Sequence, residues 1–343
     1  MRVGVLTGGG DCPGLNAVIR GVVRKAERDY GDEVVGFLDG YQGLLENRFR
    51  TLDVEACRGL LPRGGTIIGT TRMTPYMVDD GVERVKATMA ENGVEALIVI
   101  GGEGTLSCAN RLMVEDGVPV IGVPKTIDND IGGTEMTFGF DTAVQIATDA
   151  IDRLHTTAES HNRVMVVEVM GRHVGHIATW AGIAGGATVT LVPEEPFDIQ
   201  AVCDSILRRH HRGRFASIVV VAEGAVPAPG TIEIPEPSID EYGHQRLGGI
   251  VNVVASEIEA RTGFETRVTI LGHVQRGGTP TAFDRVLSTW YGVAAMEAAH
   301  DRDFGTMVAL RNGEVVRAPL AECISELKYT HPELLDANRT FFS

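Results

Sequence analysis

Residues 118–130 read Val-Pro-Val-Ile-Gly-Val-Pro-Lys-Thr-Ile-Asp-Asn-Asp, an apolar run that passes directly into a polar turn. The run predicts a buried strand, because strands of parallel sheets are apolar on both faces. The turn carries the carboxylates of Asp128 and Asp130 together with Lys125 and Thr126. Open α/β sheets bind ligands at the carboxyl ends of their strands. A carboxylate placed there can accept a proton from a substrate hydroxyl or hold a metal ion.

The rest of the chain alternates similar apolar runs with amphipathic stretches, which predicts a doubly wound α/β fold. The predicted strands are Arg2–Leu6, Val34–Phe37, Ala96–Ile100, Val118–Val123, Arg163–Val169, Thr188–Val192 and Ser217–Ala222. The predicted helices are Leu15–Tyr30, Gly81–Asn92, Thr105–Glu115, Asp141–Ser160, Ile199–His211, Gly249–Thr262 and Phe283–His300. At 343 residues we expect about two domains, the first covering roughly residues 1–138. The Pro-, Gly- and acid-rich stretch Ala225–His244 is predicted to be a surface excursion.

Composition excludes several classes of protein. The net charge of −15 argues against nucleic-acid binding, which needs a clustered basic surface. No apolar run approaches the length of a membrane span, and no leader-like segment is visible. The five cysteines are scattered without metal-binding spacing, as expected for free thiols in a cytoplasmic protein.

Two glycine-rich turns follow predicted strands and open predicted helices. They read Thr-Gly-Gly-Gly-Asp-Cys-Pro-Gly-Leu-Asn at 7–16 and Gly-Gly-Glu-Gly-Thr at 101–105. Glycines let backbone N–H groups approach a phosphate at a helix N-terminus, and Glu103 could coordinate Mg²⁺ beside it. Simple βα turns are the alternative for both segments, with Glu103 a solvated carboxylate. Turn hydrogen bonding is likewise the alternative for Asp128 and Asp130.

Basic residues follow two later apolar runs. Arg172 lies in Glu-Val-Met-Gly-Arg-His-Val-Gly-His at 168–176, and a guanidinium matches phosphate bidentately. His273 and Arg276 precede two glycines and could bind a further phosphate. Ordinary surface or core roles are the alternative for each. The basic stretch Arg208–Arg214 is interpreted as a solvated helix end, with an anionic effector pocket as the alternative.

Taken together, these segments resemble the 6-phosphofructokinase family, and bacterial, actinobacterial-type members in particular. The matching motifs are TGGGDCPGLN, GGEGT, PKTIDND, ESHNRVMVVEVMGR, AEG and LGHVQRGGTPTAFDR, which occur in family order over essentially the whole chain. The resemblance implies two Rossmann-like three-layer αβα domains with mainly parallel sheets. Residues 1–138 plus about 252–304 would form the larger, ATP-binding domain. Residues about 139–251 plus 305–343 would form the smaller, fructose 6-phosphate-binding domain.

The resemblance also implies an ATP-dependent, Mg²⁺-dependent transfer to the C1 hydroxyl of fructose 6-phosphate, with Asp128 as the base. The other residues matching catalytic positions are Thr126, Arg172 and Asp130. Those matching ATP positions are Gly10, Tyr41, Arg72, Gly102, Glu103, Gly104 and Thr105, with Glu103 near the metal. Those matching sugar-phosphate positions are Thr126, Asp128, Arg163, Met170, Gly171, Arg172, Glu223, Arg267, His273 and Arg276. In the family Arg163 and Arg267 reach in from a neighbouring subunit, which implies a homo-oligomer, usually a homotetramer.

The donor is where the family pattern divides. Pyrophosphate-dependent members share Lys125 but carry Asp where Gly104 stands, so Gly104 favours ATP and Lys125 favours the alternative, a pyrophosphate-dependent fructose 6-phosphate 1-phosphotransferase. The residues at the allosteric effector site also differ from those of enterobacterial members of the family. His155 stands where those members have Arg, and Thr188 stands where they have Glu. An NAD or lipid kinase and a non-catalytic sugar-phosphate sensor are further rivals. An NAD or lipid kinase would not need the arginines that match sugar-phosphate positions. A non-catalytic sensor would not need Asp128, because it has no use for a base.

Overall fold

The computed structural model describes residues 1–232 and 247–341. Its strands are β1 (Arg2–Gly8), β2 (Glu33–Phe37), β3 (Phe49–Leu52), β4 (Ala96–Gly101), β5 (Val120–Pro124), β6 (Val164–Val169), β7 (Val189–Leu191), β8 (Ser217–Ala222), β9 (Thr266–Ile270), β10 (Thr306–Arg311) and β11 (Glu314–Pro319). Its α-helices are α1 (Leu15–Lys25), α2 (Tyr41–Leu45), α3 (Gly81–Glu91), α4 (Glu103–Val114), α5 (Phe140–His161), α6 (His176–Ala184), α7 (Ile199–His211), α8 (Ile250–Thr262), α9 (Ala282–His300), α10 (Leu320–Cys323) and α11 (Pro332–Arg339). All seven predicted strands and all seven predicted helices are present, with ends that differ by a few residues.

The chain forms two compact units. Unit 1 comprises Met1–Thr142 and Arg276–Lys328, and unit 2 comprises Ala143–Gln275 and Tyr329–Ser343. The first boundary lies close to the expected residue 138, but the later boundaries do not follow the expectation. Residues 252–275 lie in unit 2 because β9 pairs with β6, and residues 305–328 lie in unit 1 because β10 pairs with β5.

Unit 1 is built on a seven-stranded sheet of order β11-β10-β5-β4-β1-β2-β3. Five strands run parallel, and the outermost strands, β3 and β11, are antiparallel to their neighbours. Helices α1 and α9 pack on each other, and α9 contacts β4 and β5. A buried cluster combines side chains of β1, β2 and β4 with those of α2, α3 and α4. Chain order reverses beside β1, which is the switch point where doubly wound sheets bind ligands.

Unit 2 contains a four-stranded, fully parallel sheet of order β7-β8-β6-β9. Helix α6 contacts β7 and β8, and α8 contacts β6 and β9. Every residue of β6 and β8 is buried, and all of them except Glu168 and Ser217 are apolar, as expected for strands inside a parallel sheet. Together the units confirm the predicted fold, a mixed α/β architecture with mainly parallel sheets.

Two predictions concern the periphery. The predicted surface excursion Ala225–His244 lies largely outside the described residues, which stop at residue 232 and resume at residue 247. No helix in the described part of the chain is long and apolar enough to span a membrane.

Candidate active site

Three turns of unit 1 begin at the same level of its sheet. Gly8, the last residue of β1, pairs in register with Gly101 of β4, and Gly101 pairs with Pro124 of β5. Because these strands are parallel neighbours, the segments that follow them emerge side by side at one sheet edge. The two glycine turns and the Lys125–Asp130 turn are therefore neighbours at this edge of the sheet.

Thr105 fits the two glycine turns together. A Cβ on Gly8 would lie 2.6 Å from Thr105 Cγ2, and one on Gly101 would lie 2.4 Å from Thr105 Cβ. Real Cβ atoms essentially never approach so closely, so glycine at both positions lets α4 begin against the end of β1. These glycines therefore do more than allow a turn: they admit the Thr105 side chain.

Tyr41 lies in the core of unit 1. Its side chain is 1% exposed, and its hydroxyl donates to the Thr105 carbonyl oxygen at 3.1 Å. A fully buried ring has no surface to offer a nucleotide. The structure thus corrects the expected direct ATP contact: Tyr41 supports the first turn of α4 from beneath.

The first turn of α4 is open to solvent. Glu103 and Gly104 are exposed, and a Cβ on Gly104 would meet no described atom within 4 Å. Glu103 Oε1 accepts from Ser107 Oγ at 3.0 Å. The N–H groups of this turn lack partners within the helix and carry partial positive charge, which suits a phosphate.

Lys125 and Arg276 lie against the turn that follows β1. Lys125 Nζ donates to the Gly10 carbonyl oxygen, and Arg276 Nη1 donates to the Asp11 carbonyl oxygen at 3.4 Å. Lys125 is 3% exposed, and this burial lowers its pKa below the usual value, while Asp128 and Asp11 nearby favour its charged form. Two cations and two carboxylates therefore share this edge of unit 1. On the opposite flank the exposed Arg72 follows Thr71, whose carbonyl oxygen accepts from Gly9 N at 2.9 Å.

The hydrogen bonds that shape the aspartate turn come from its other polar residues. Thr126 Oγ1 accepts from Asp128 N at 3.0 Å, and Asn129 Oδ1 accepts from Thr137 N at 2.9 Å. Asn129 takes the left-handed conformation with φ 54°, which Asn tolerates better than most residues. Asp128 is 4% exposed, so its carboxylate is held in a confined place beside Lys125.

Asp284 anchors the segment that leads from this turn into α5. Its carboxylate accepts from Gly139 N at 3.0 Å, Thr142 N at 2.8 Å and Thr142 Oγ1 at 2.5 Å. Burial outweighs these bonds and raises its pKa from 3.8 to about 6. The sequence analysis did not single out Asp284, because nothing local to Ala282–His300 shows what a carboxylate there would bind.

Asp284→Asn is expected to lower the free energy of unfolding at pH 7 by about 1–3 kcal/mol, because an amide cannot accept from all three donors. The folded state holds the Asp284 proton more tightly than the unfolded chain does. The carboxyl therefore stabilises the fold most below about pH 4 and loses this contribution as the pH rises to about 6. The difference in the free energy of unfolding between wild type and Asp284→Asn should therefore grow by about 2 kcal/mol from pH 7 to pH 4. Urea unfolding of both proteins measures it, with exposed Asp79→Asn as the control; a gap independent of pH would contradict this account.

In unit 2 the ends of β6 and β8 hold a second group of predicted residues. Glu223 Oε1 accepts from Arg172 N at 3.0 Å and from Gly171 N at 3.3 Å. Gly171 has φ 146° and Arg172 has φ 51°, so this carboxylate stabilises a backbone that side chains rarely adopt. Met170 N donates to Gln275 Oε1 at 2.9 Å, and Gln275 is fully buried. The sequence analysis did not identify Gln275 or this structural use of Glu223.

Arg163 and Arg267 lie at the other end of the same sheet. Arg163 immediately precedes β6, whereas Met170 immediately follows it, a separation of about 23 Å at ~3.3 Å per residue. Both arginines pair with Glu265, Arg163 Nε at 2.6 Å, and the hydrogen bond from Arg163 is the main cause that lowers the Glu265 pKa. One chain therefore does not bring these arginines to the Met170–Arg172 group. His273 is exposed in the 3₁₀ segment that follows β9, at the Met170 end.

A basic cleft of about 310 Å³ lies elsewhere in unit 2, lined by Arg209, Arg214 and Thr188 among others. It coincides with the stretch interpreted above as a solvated helix end or an effector pocket. His155 Nε2 lies 2.6 Å from the Gly185 carbonyl oxygen, and His210 stacks on Phe264 with ring centroids 4.2 Å apart. These two histidines therefore have partners within unit 2.

Comparison with known proteins agrees with these features. The family described as Phosphofructokinase matches residues 2–299. A Streptomyces coelicolor relative named pyrophosphate–fructose 6-phosphate 1-phosphotransferase is 58% identical over 342 residues, and a Mycobacterium tuberculosis H37Rv relative named ATP-dependent 6-phosphofructokinase is 55% identical over 343 residues; each match covers 100% of both chains. The structure of phosphofructokinase from Saccharomyces cerevisiae superposes with a TM-score of 0.81 at 32% identity, covering 94% of this chain and 45% of that one. This chain therefore belongs to the phosphofructokinase family.

Proposed function

We propose that this chain transfers a phosphoryl group from ATP to the C1 hydroxyl of fructose 6-phosphate, giving fructose 1,6-bisphosphate and ADP. One observation carries the proposal. The register of Gly8, Gly101 and Pro124 sets two phosphate-suited glycine turns level with the turn that holds Asp128. A donor and a base are the two parts that phosphorylation of an alcohol requires.

Asp128 is the proposed base. Its carboxylate takes the proton of the attacking hydroxyl, and its buried position beside the Lys125 ammonium limits the directions in which it can point. In this proposal Thr126 lies beside the transferred phosphoryl group, and Arg172 neutralises the negative charge on the oxygens of that group. Phosphoryl transfer depends mainly on such positioning and charge neutralisation.

Unit 1 is the proposed nucleotide-binding unit. The residues assigned to the donor are Gly10, Arg72, Gly102, Glu103, Gly104 and Thr105, and Tyr41 is reassigned to supporting Thr105. The open space beside Gly104 supports a bulky donor, because the α-phosphate and nucleoside of ATP need room that pyrophosphate does not.

Mg²⁺ is the proposed metal, with Glu103 and Asp130 as the nearby carboxylates. Within residues 1–232 and 247–341, no three His, Cys, Asp or Glu side chains form a cluster that could hold a metal. That finding fits Mg²⁺, which proteins usually bind through one or two carboxylates plus substrate phosphates and water. When bound, Mg²⁺ supplies charge neutralisation at the phosphate oxygens.

Unit 2 is the proposed sugar-phosphate unit. Met170, Gly171 and Glu223 are assigned to the sugar, as is His273, and Arg276 of unit 1 is assigned to its phosphate. Arg163 and Arg267 are proposed to serve a neighbouring subunit, because about 23 Å of strand separates Arg163 from Met170 in their own chain. This assignment requires a homo-oligomer, and the family resemblance implies that it is a homotetramer. We place the reaction in the cytoplasm, where the five buried free cysteines would stay reduced.

Pyrophosphate is the alternative donor. The name of the Streptomyces coelicolor relative and the presence of Lys125 favour it. Against it, the Lys125 ammonium is bound to the Gly10 carbonyl oxygen, and the Gly104 position is open rather than acidic. These two observations support ATP.

The experiment that tests the proposed reaction identifies the product. The purified protein is incubated with Mg²⁺, ATP and fructose 6-phosphate, and the product is assigned by ¹³C and ³¹P NMR. We expect a phosphate ester at C1. Turnover of NAD or of a diacylglycerol instead would identify one of the rival kinases, and no turnover with any acceptor would favour the sensor.

A further inference from the structure

Lys328, far from the aspartate turn in sequence, closes that turn in the folded chain. Its Nζ donates to Asn129 Oδ1 at 2.8 Å, to the Thr134 carbonyl oxygen at 2.9 Å and to the Glu135 carbonyl oxygen at 2.9 Å. Its backbone N donates to the Asp130 carbonyl oxygen at 2.9 Å. All these residues belong to unit 1. One side chain thus bonds both ends of segment 129–135.

The position of Asn129 gives these bonds a meaning beyond packing. Asn129 stands between Asp128 and Asp130 in a left-handed conformation, with φ 54°. Its Oδ1 accepts from both Lys328 Nζ and Thr137 N. The backbone torsions at Asn129 set the directions in which the chain leaves toward each aspartate. Lys328 therefore fixes the backbone segment that carries the carboxylates of Asp128 and Asp130.

The Lys328 ammonium has all its donors in use, which argues against an incidental contact. Its side chain is partly buried, and it donates three hydrogen bonds to acceptors in segment 129–135. Methionine would fill similar space but could donate none of these hydrogen bonds.

We infer that Lys328 is a positioning residue for phosphoryl transfer, which holds the Asp128–Asp130 turn in its reactive arrangement through Asn129, Thr134 and Glu135. The inference rests on the proposed function, because it concerns the residues assigned to the base and to the metal. Lys328 acts through these residues and touches neither substrate in the assignment.

The test compares Lys328→Met and Lys328→Ala with the wild type, and Lys86→Met, which removes an exposed lysine of α3, is the matched control. Misplacing a reacting group by about 1 Å can slow a reaction ~10²-fold. We expect kcat to fall about 10²-fold in both Lys328 variants, with KM for each substrate within about threefold of wild type, and no change in the control. Propylamine or butylamine should restore at least a tenth of the lost activity to Lys328→Ala, saturably, by replacing the missing ammonium.

Amide hydrogen exchange supplies a readout that does not depend on activity. The Thr137 amide, which donates to Asn129 Oδ1, should exchange at least tenfold faster in Lys328→Met, while amides of β1 and β4 keep their wild-type rates. If Lys328→Met is insoluble, Lys328→Gln is measured in the same way. If the wild-type protein does not phosphorylate fructose 6-phosphate, the proposed function is wrong. The exchange experiment would still show whether Lys328 holds the Asp128–Asp130 turn.

Three outcomes would overturn the inference. The first is a kcat within twofold of wild type in the Lys328 variants. The second is a loss of activity that alkylamines do not restore and that follows a general loss of stability, since this would mean a role in packing alone. The third is unchanged exchange at Thr137.

Discussion

Asp128→Asn is expected to lower kcat by about 10²–10⁴-fold, the usual contribution of a general base. The amide has nearly the shape of the carboxylate but cannot take the proton of the attacking hydroxyl. The dissociation constant for ATP should stay within about threefold of wild type, because the donor residues lie on the neighbouring turns after β1 and β4. Initial rates and equilibrium titration of the nucleotide measure the two quantities separately.

Two comparisons make the Asp128 result specific. Asp79→Asn removes an exposed carboxylate of unit 1 and should leave kcat unchanged. A variant in which ATP binding and kcat fall by the same factor would contradict the role of Asp128 as base, because that pattern marks the loss of a ground-state contact.

Gly104→Asp is expected to lower kcat/KM for ATP by about 10²-fold or more and to affect pyrophosphate use much less. Gly104 is the second residue of α4 and is exposed, and a Cβ added there would meet no described atom within 4 Å. The added carboxylate therefore fits the protein, and an acidic residue in the first turn suits the helix dipole. The substitution is expected to weaken ATP binding, because a carboxylate about 4 Å from a phosphate group is repelled by about 4 kcal/mol near a protein surface.

Gly104→Ala separates the effect of charge from that of size. It adds a methyl group in open space and should retain ATP kinetics within a few fold while stabilising α4 by up to about 1 kcal/mol. Steady-state kinetics with each donor, alongside thermal melting, test all three proteins. Wild-type ATP kinetics in Gly104→Asp would refute the claim that Gly104 selects the donor.

The parts of the fold that could be predicted from the sequence are those whose signal is local. Apolar runs such as Ala96–Gly101 are buried on both faces of a parallel sheet, so hydrophobicity alone identifies them. Strand β3 was missed because Phe49–Leu52 is a short edge strand with exposed residues. The β10–β11 hairpin was missed although Asn312-Gly313, both with positive φ, is a strong turn signal between them.

The domain boundaries show the limit of local reasoning. Whether residues after 252 return to the first unit depends on which sheet receives β9 and β10, and that choice is made by pairing with strands more than 100 residues away. Periodicity carries no information about such partners. The expected boundaries came from the family resemblance and differ from those of the structure.

The residues of the candidate site also fall into those that local sequence identifies and those that only the folded structure reveals. Motifs placed the turns after β1, β4 and β5 correctly, because each follows its own strand directly. Lys328, Asp284 and Gln275 escaped notice because their partners lie at least 105 residues away. Tyr41 was assigned to the nucleotide from its motif position, whereas its burial was decided by the packing of α2 on the core.

The central claim is that this chain uses ATP to phosphorylate fructose 6-phosphate, and the most direct test is a comparison of donors. Initial rates of fructose 1,6-bisphosphate formation are measured with Mg²⁺ and fructose 6-phosphate, with ATP and pyrophosphate in parallel. We predict turnover with ATP and none above background with pyrophosphate. Turnover with pyrophosphate alone would contradict the account, since it would mean that Lys125 outweighs Gly104 in selecting the donor.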